Sequence, residues 1–164
     1  MVLTLIGYRG CGKSSVAPLL AAALNWQWID SDHVIEETAG CSIREIFERE
    51  GEGGFRDREQ QVISDLCAGD RLILAAGGGA ILRDINRKIM KASGPVIWLE
   101  AAPAVLAERI AGDQATAARR PSLTGRSVTE EVAEVLAVRE PIYREAATVI
   151  VQADQGTPAD TVRQ

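Results

Sequence analysis

At 164 residues, with 46% hydrophobic and 25% charged side chains, the chain is long enough for one domain with its own core and needs neither disulfides nor a structural metal to fold. Eighteen basic and 23 acidic residues leave a net charge of -5, which excludes a general binder of nucleic acid or of anionic membrane. Only Lys13, Lys88 and Lys91 are lysines; the other basic residues are arginines, the side chain suited to two-pronged contacts with phosphate and carboxylate.

Taken in chain order, Val2 to Ile6 is an apolar run stopped by Gly7 and predicts a strand. Lys13 to Leu24 is rich in alanine and leucine and predicts a helix. Trp28 and Ile29 form a short apolar piece ending at Asp30, with a helix expected to start near His33. Ser42 and Glu45 form a capping box that opens a helix to about Glu50. Gly53-Gly54-Phe55-Arg56, followed by Glu59, stands at the entry to a further helix running toward Cys67. Leu72 to Ala76 is the next strand, halted by Gly77, Gly78 and Gly79, and Val96 to Leu99 the one after.

The stretch from Gly112 to Ser127 is polar and flanked by helices, and it carries Arg119-Arg120-Pro121 and Thr124-Gly125-Arg126, the pattern of an arginine-bearing lid. Ser127 and Glu130 make a second capping box, opening a helix to about Glu140, after which Arg139-Glu-Pro-Ile-Tyr143 is expected to follow. Thr148 to Val151 is the last strand, and Thr157-Pro158 starts a final helix. Strands that are apolar throughout and separated by helices predict a doubly wound α/β fold, a five-stranded parallel sheet with helices on both faces. Such a sheet binds its ligand at the carboxyl ends of its strands.

There is no basic leader followed by a long apolar core, no run near the eighteen residues of a membrane span, and no paired cysteine pattern among Cys11, Cys41 and Cys67. A cytoplasmic protein with reduced thiols is expected.

The strongest chemical signal lies at the first strand end. Gly7-Tyr-Arg-Gly10-Cys11-Gly12-Lys13-Ser14 is G-x-x-x-x-G-K-S between a strand and a helix, a loop whose amides converge on phosphate. Lys13 is expected on the β- and γ-phosphates of a nucleoside triphosphate and the Ser14 hydroxyl on magnesium. The strings D-x-x-G and N-K-x-D of a GTP-dependent switch are not there. Glu100, the acid after Val96 to Leu99, reads as a helix-flanking residue; Asp30-Ser31-Asp32 is the better source of carboxylates. Spaced two apart on an extended segment, Asp30 and Asp32 would face the P-loop together.

These pieces resemble shikimate kinase over essentially the whole chain: the GYRGCGKS loop, DSD at 30 to 32, GFRxRE around Arg56, the triple glycine, RPSLTGR from Arg120 and REPIY from Arg139. RGCGK and the long RPSLTGR lid look most like the second of two bacterial isoform types. The resemblance implies a P-loop fold similar to the nucleoside monophosphate kinases, a single domain over 1–164. Its acceptor-binding subdomain would span about 31–61 and its lid about 112–126. It implies phosphorylation of the 3-hydroxyl of shikimate by ATP with Mg2+, in the route to chorismate and the aromatic amino acids.

By the same resemblance, Asp32 holds the shikimate hydroxyls, Arg56 and Arg139 grip its carboxylate, and Gly77, Gly78 and Gly79 offer backbone amides. Gly10, Cys11, Gly12, Lys13, Ser14 and Ser15 line the phosphates, and Arg109 lies near adenine. Arg120, favoured over Arg119 because it precedes the proline, closes on the phosphates. Ser14 and, through water, Asp30 are the magnesium partners. Asp32 is expected to stay ionised and chiefly to orient the hydroxyl. The chain departs from some members in having no arginine within Asp154 to Thr157. Small kinases with lids often work as monomers, and a monomer that binds neither nucleic acid nor membrane is expected. A gluconate-type acceptor, also a carboxylate with hydroxyls, is the alternative, and a nucleotide-binding module without catalysis a third reading.

Other residues are expected to do less. Cys11 reads as a small residue in a tight turn, and His33 as helix surface. Trp26, Trp28 and Trp98 read as packing, with Trp28 placed to report ligand binding. Glu36-Glu37 and Glu130-Glu131 read as solvated helix faces.

Overall fold

In the computed structural model, residues 1–112 and 128–164 are described. Most of the expected lid, with Arg119 and Arg120, and the Ser127 cap lie outside them. Strands run over Val2–Ile6 (β1), Gln27–Asp30 (β2), Leu72–Ala75 (β3), Val96–Glu100 (β4) and Val149–Gln152 (β5). Helices cover Lys13–Leu24 (α1), Ser31–Ala39 (α2), Ile43–Cys67 (α3), Asp84–Ser93 (α4), Pro103–Gly112 (α5), Val128–Ala146 (α6) and Pro158–Arg163 (α7), with a 3-10 turn at Ala80–Leu82.

All strand pairings are parallel, in the order β2-β3-β1-β4-β5. The three inner strands are nearly all buried, because helices cover both faces. The edge strands depart from that expectation. Gln27 and Trp28 on β2, and Val149, Ile150 and Gln152 on β5, are exposed, since an edge has a neighbour on one side only. Register brings the carboxyl ends into line: Asp30 and Leu5 both pair with Ala75, and Ile6 pairs with Trp98. The loops after β1, β2 and β3 therefore open onto one side.

Two hydrophobic clusters support this frame. The larger fills the sheet faces, with Leu5, Ile6, Ile63, Ile73, Leu74, Trp98 and Tyr143 among its buried members. The smaller unites Ile35, Ile43, Ile46, Phe55 and Val62 under α2 and α3. There Phe47 stacks on Phe55 with ring centroids 4.7 Å apart. The long α3 is two helices joined at Gly51, whose φ of 69° interrupts the helical backbone. That break matches the expected end near Glu50 and turns the second segment, with Phe55 and Arg56, back toward the sheet. Glycine suits it because a Cβ disfavours positive φ.

In α6 the proline did not end the helix. Arg139-Glu-Pro-Ile-Tyr143 lies inside it, with Pro141 in its interior. Pro141 and Ala137, whose carbonyl loses its helical donor, are both exposed, so water can take that bond. Continuing the helix sets Arg139 and Tyr143 one turn apart on one face.

Candidate active site

The turn from Gly7 to Gly12 ends in α1 with Gly12 as N-cap, at φ 99° and with no side-chain cap. The first amides of α1 are thus left facing the loop, the arrangement that receives an anion. Lys13 folds back over this loop, donating from Nζ to the carbonyls of Gly7 at 2.7 Å and Tyr8 at 3.1 Å. Ser14 donates from Oγ to Asp30 Oδ2 at 3.1 Å, tying α1 to the end of β2.

The two acids of the DSD segment do not sit side by side on a strand as expected. Asp30 ends β2 and caps α2, its Oδ1 accepting the Asp32 amide at 2.9 Å, while Asp32 is in the first helical turn. The capping bond bends the chain there, because a carboxylate two residues upstream satisfies a free helix amide better than continued extension does. The carboxylates therefore diverge. Asp30 points to Ser14, and Asp32 reaches the triple glycine, its Oδ1 2.6 Å from where a Cβ on Gly77 would stand. Between them, buried Ser31 accepts the Gly77 amide on Oγ at 3.0 Å.

Three elements converge on Gly77 to Gly79. From the second segment of α3, Arg56 lays its guanidinium on Gly79, with Nη1 2.6 Å from that residue's missing Cβ position. The same nitrogen donates to Glu59 Oε2 at 2.6 Å, and Glu59 is buried. Glu59 Oε1 also lies 3.2 Å from the Cβ position of Gly77. From α6, Arg139 donates to the Gly78 carbonyl at 3.4 Å, and Tyr143 donates to the same oxygen at 2.5 Å. The Tyr143 ring is buried and stacks on Trp98 at 5.6 Å between centroids. Burial pushes its hydroxyl pKa well above the usual value, so it remains a donor.

Arg109 on α5 bridges the P-loop to the chain after β5, donating to Gly10 O at 3.3 Å and Ala153 O at 3.0 Å. One open cavity of about 1020 Å³ runs along the P-loop from Arg109 to Gly78, and Arg56, Gly79 and Arg139 stand behind its Gly77-Gly78 wall rather than lining it. At one end are Arg109, Ala153, Gly156, Thr157, Pro158 and Thr161; Gly10 to Val16 line the middle; Asp30, Asp32, Gly77 and Gly78 lie beyond, with Trp28 and His33 at the rim.

A sequence model of shikimate kinase matches residues 9–164. The chain belongs to the shikimate kinase family. It is 53% identical to a shikimate kinase of Rhodopirellula baltica over 145 residues, covering 88% of this chain and 78% of the relative. A shikimate kinase of Pseudomonas aeruginosa strain LESB58 is 40% identical over 162 residues, 99% of this chain and 92% of the relative. The solved structure of the shikimate kinase from Acinetobacter baumannii in complex with shikimate superposes with a TM-score of 0.91 at 36% identity, covering 99% of this chain and 88% of that one. A gluconokinase from Sinorhizobium meliloti shares the fold alone, with a TM-score of 0.59 at 19% identity over 99% of this chain and 87% of its own. The chain is thus an ATP-using kinase that phosphorylates an alcohol group.

Of the expected site residues of this kinase, Lys13, Ser14, Asp30, Asp32, Gly77, Gly78, Arg56, Gly79 and Arg139 form one connected region, and Arg109 closes its far end. Arg120 lies outside the described residues. Four residues of the region were not assigned from sequence: Ser31, Glu59, Tyr143 and Glu131. Glu59 and Tyr143 could have been found by helical spacing, three and four residues after Arg56 and Arg139. Glu131 corrects the reading of Glu130-Glu131 as a solvated pair. It is buried in the first turn of α6, with Arg9 of the P-loop 3.6 Å away, because α6 packs over the loop rather than facing solvent.

Proposed function

We propose that this kinase transfers the γ-phosphoryl group of ATP to the 3-hydroxyl of shikimate. The observation that carries the proposal is the meeting, at Gly77 to Gly79, of two arginines and a carboxylate beside the P-loop. A small ring with one carboxylate and several hydroxyls requires that combination: Arg56 and Arg139 for the acid group, Asp32 for the hydroxyls. The relative solved in complex with shikimate supports the choice of acceptor.

In this reading the P-loop amides and Lys13 bind the phosphates, and Arg109 and Pro158 flank adenine. Asp32 orients the attacking oxygen and takes its proton as the bond to phosphorus forms. Phosphoryl transfer has a loose transition state, so positioning and charge neutralisation are the protein's main contributions. Arg120 is assigned to the developing charge by its place in the RPSLTGR motif.

The hard oxygen donors of Ser14 and Asp30, 3.1 Å apart, suit Mg2+ shared with the phosphates. When bound, the ion neutralises charge on the β- and γ-oxygens. The unpaired cysteines, two of them buried, suit a reducing cytoplasmic setting.

The test is ADP release with shikimate, gluconate and nucleoside monophosphates offered separately, with and without Mg2+. Release stimulated by shikimate and dependent on Mg2+ is expected. Stimulation by gluconate or a nucleotide in its place, or by no acceptor, overturns the proposal.

A further inference from the structure

We infer that Tyr143 is a positioning residue for the acceptor's acid group: its hydroxyl clamps the Gly78 carbonyl and so sets the direction of the Gly79 amide. The inference rests on the proposed function and adds a residue to its acceptor site. A peptide unit is planar, so holding the Gly78 oxygen toward α6 turns the following N–H to the opposite side. The peptide concerned joins two glycines, and without Cβ atoms on either side it is the easiest kind to rotate. Among the described residues, the neighbouring amides are already used: Gly77 donates to Ser31 and Ala80 to the Gly77 carbonyl at 2.9 Å. Those of Gly78 and Gly79 have no partner among the described residues, which leaves two donors for an anion beside Arg56.

The clamp is built to be stiff. The Tyr143 ring is fully buried and stacked on Trp98, and its bond to Gly78 is short. Arg139, one turn earlier on α6, reaches the same oxygen at a longer 3.4 Å. The two side chains divide the work: Tyr143 holds the peptide, and Arg139 keeps most of its guanidinium available to a carboxylate. Gly78 itself packs on the P-loop, its Cβ position 3.5 Å from Gly7 O and Arg9 N. The loop as a whole is therefore supported from the other side, and the rotation of one peptide is what the hydroxyl controls.

Tyr143→Phe removes the hydroxyl and keeps the stacked ring, so the variant folds. Its KM for shikimate should rise about five- to ten-fold, the worth of one hydrogen bond. Its KM for ATP should stay within twofold, and the KM for shikimate methyl ester, which lacks the acid charge, should also stay within twofold of the wild-type value. In protein labelled with 15N-glycine and free of substrate, the Gly78 and Gly79 amide signals should shift or broaden. An unchanged KM for shikimate, an equal rise for both substrates, an ester weakened as much as the acid, or unaltered glycine signals overturns the inference. Wild-type enzyme that turns over no shikimate overturns the function instead; the substrate-free glycine signals still test the clamp.

Discussion

Arg56 and Glu59 meet at 2.6 Å on one face of α3, the acid almost wholly buried and the arginine 13% exposed. A buried acid beside a guanidinium holds the arginine in a single pose, with its terminal nitrogens against Gly79 and its Nε 3.5 Å from Glu52. Removing one partner of a fully buried pair costs about 3–5 kcal/mol, a ceiling here because Arg56 keeps the exposed Glu52 at 3.5 Å. Glu59→Ala is expected to lose stability within that ceiling in urea unfolding and to raise KM for shikimate with little change in KM for ATP. Glu59→Gln, which keeps the shape but not the charge, should recover most of the stability and less of the affinity.

How much of this was visible in the residues follows the range of the forces involved. The P-loop, α1 and the triple glycine after β3 were legible because glycine, lysine and a run of helix formers act on their own few neighbours. The capping box at Ser42 and the end near Glu50 were legible for the same reason. Asp30 was misread as facing the same way as Asp32, since whether a chain stays extended or caps a helix depends on the helix that follows. The helix expected to reach about Glu140 runs on through Pro141 to Ala146, since tolerance of the proline depends on solvent reaching Ala137. Glu131 looked like surface because only the packing of α6 on the P-loop buries it. The acceptor site shares that limit: Arg56 and Arg139 carried their own signal, but Ser31 and Tyr143 gain meaning only from the backbone they hold.

Two glycines of the acceptor loop should separate chemistry from binding. A Cβ on Gly77 would stand 2.6 Å from Asp32 Oδ1, whereas one on Gly79 would meet the Arg56 guanidinium. In both cases the obstacle is the end of a side chain, so the fold is retained and the side chain moves. Gly77→Ala should lower kcat by roughly a hundredfold, the effect of a displacement near 1 Å at the reacting group. Gly79→Ala should chiefly raise KM for shikimate. Steady-state kinetics on the two variants checks the division, and equal effects on both constants would refute it.

Asp30 holds two bonds with different requirements. Its Oδ1 caps α2, a task asparagine performs equally well, while Oδ2 accepts from Ser14. Asp30→Asn should therefore melt near the wild-type temperature. The Mg2+ concentration for half-maximal activity should rise about ten- to a hundredfold, the loss usual for a supporting carboxylate of a metal site. Titration of activity with MgCl2 at fixed ATP measures it. A variant with unchanged Mg2+ demand would remove Asp30 from the metal site.

Acid should loosen the helix ends before the sheet. Hydrogen bonds from Ser42 hold the Glu45 carboxyl below its ordinary pKa, and hydrogen bonds from Thr157 do the same for Asp160. A depressed carboxyl stabilises the folded state fully above its unfolded pKa, about 4, and that contribution is lost as pH falls through the lower folded value. Stability should thus decline below about pH 4, with Ser42→Ala and Thr157→Ala flattening the decline. Thermal melts from pH 6 to 3 on the three proteins test this, and parallel curves would contradict it.

The small cluster of Ile35, Ile43, Ile46, Phe55 and Val62 is separate from the core that carries the nucleotide loop. Separate cores open as separate cooperative units, so amide exchange should release α2 and the first half of α3 ahead of β1 and β3. The same division matters for descent. Substitutions that retune which alcohol is grasped can accumulate in that minor unit without loosening the grip on triphosphate, so one ancestral scaffold can be handed from one acceptor to another.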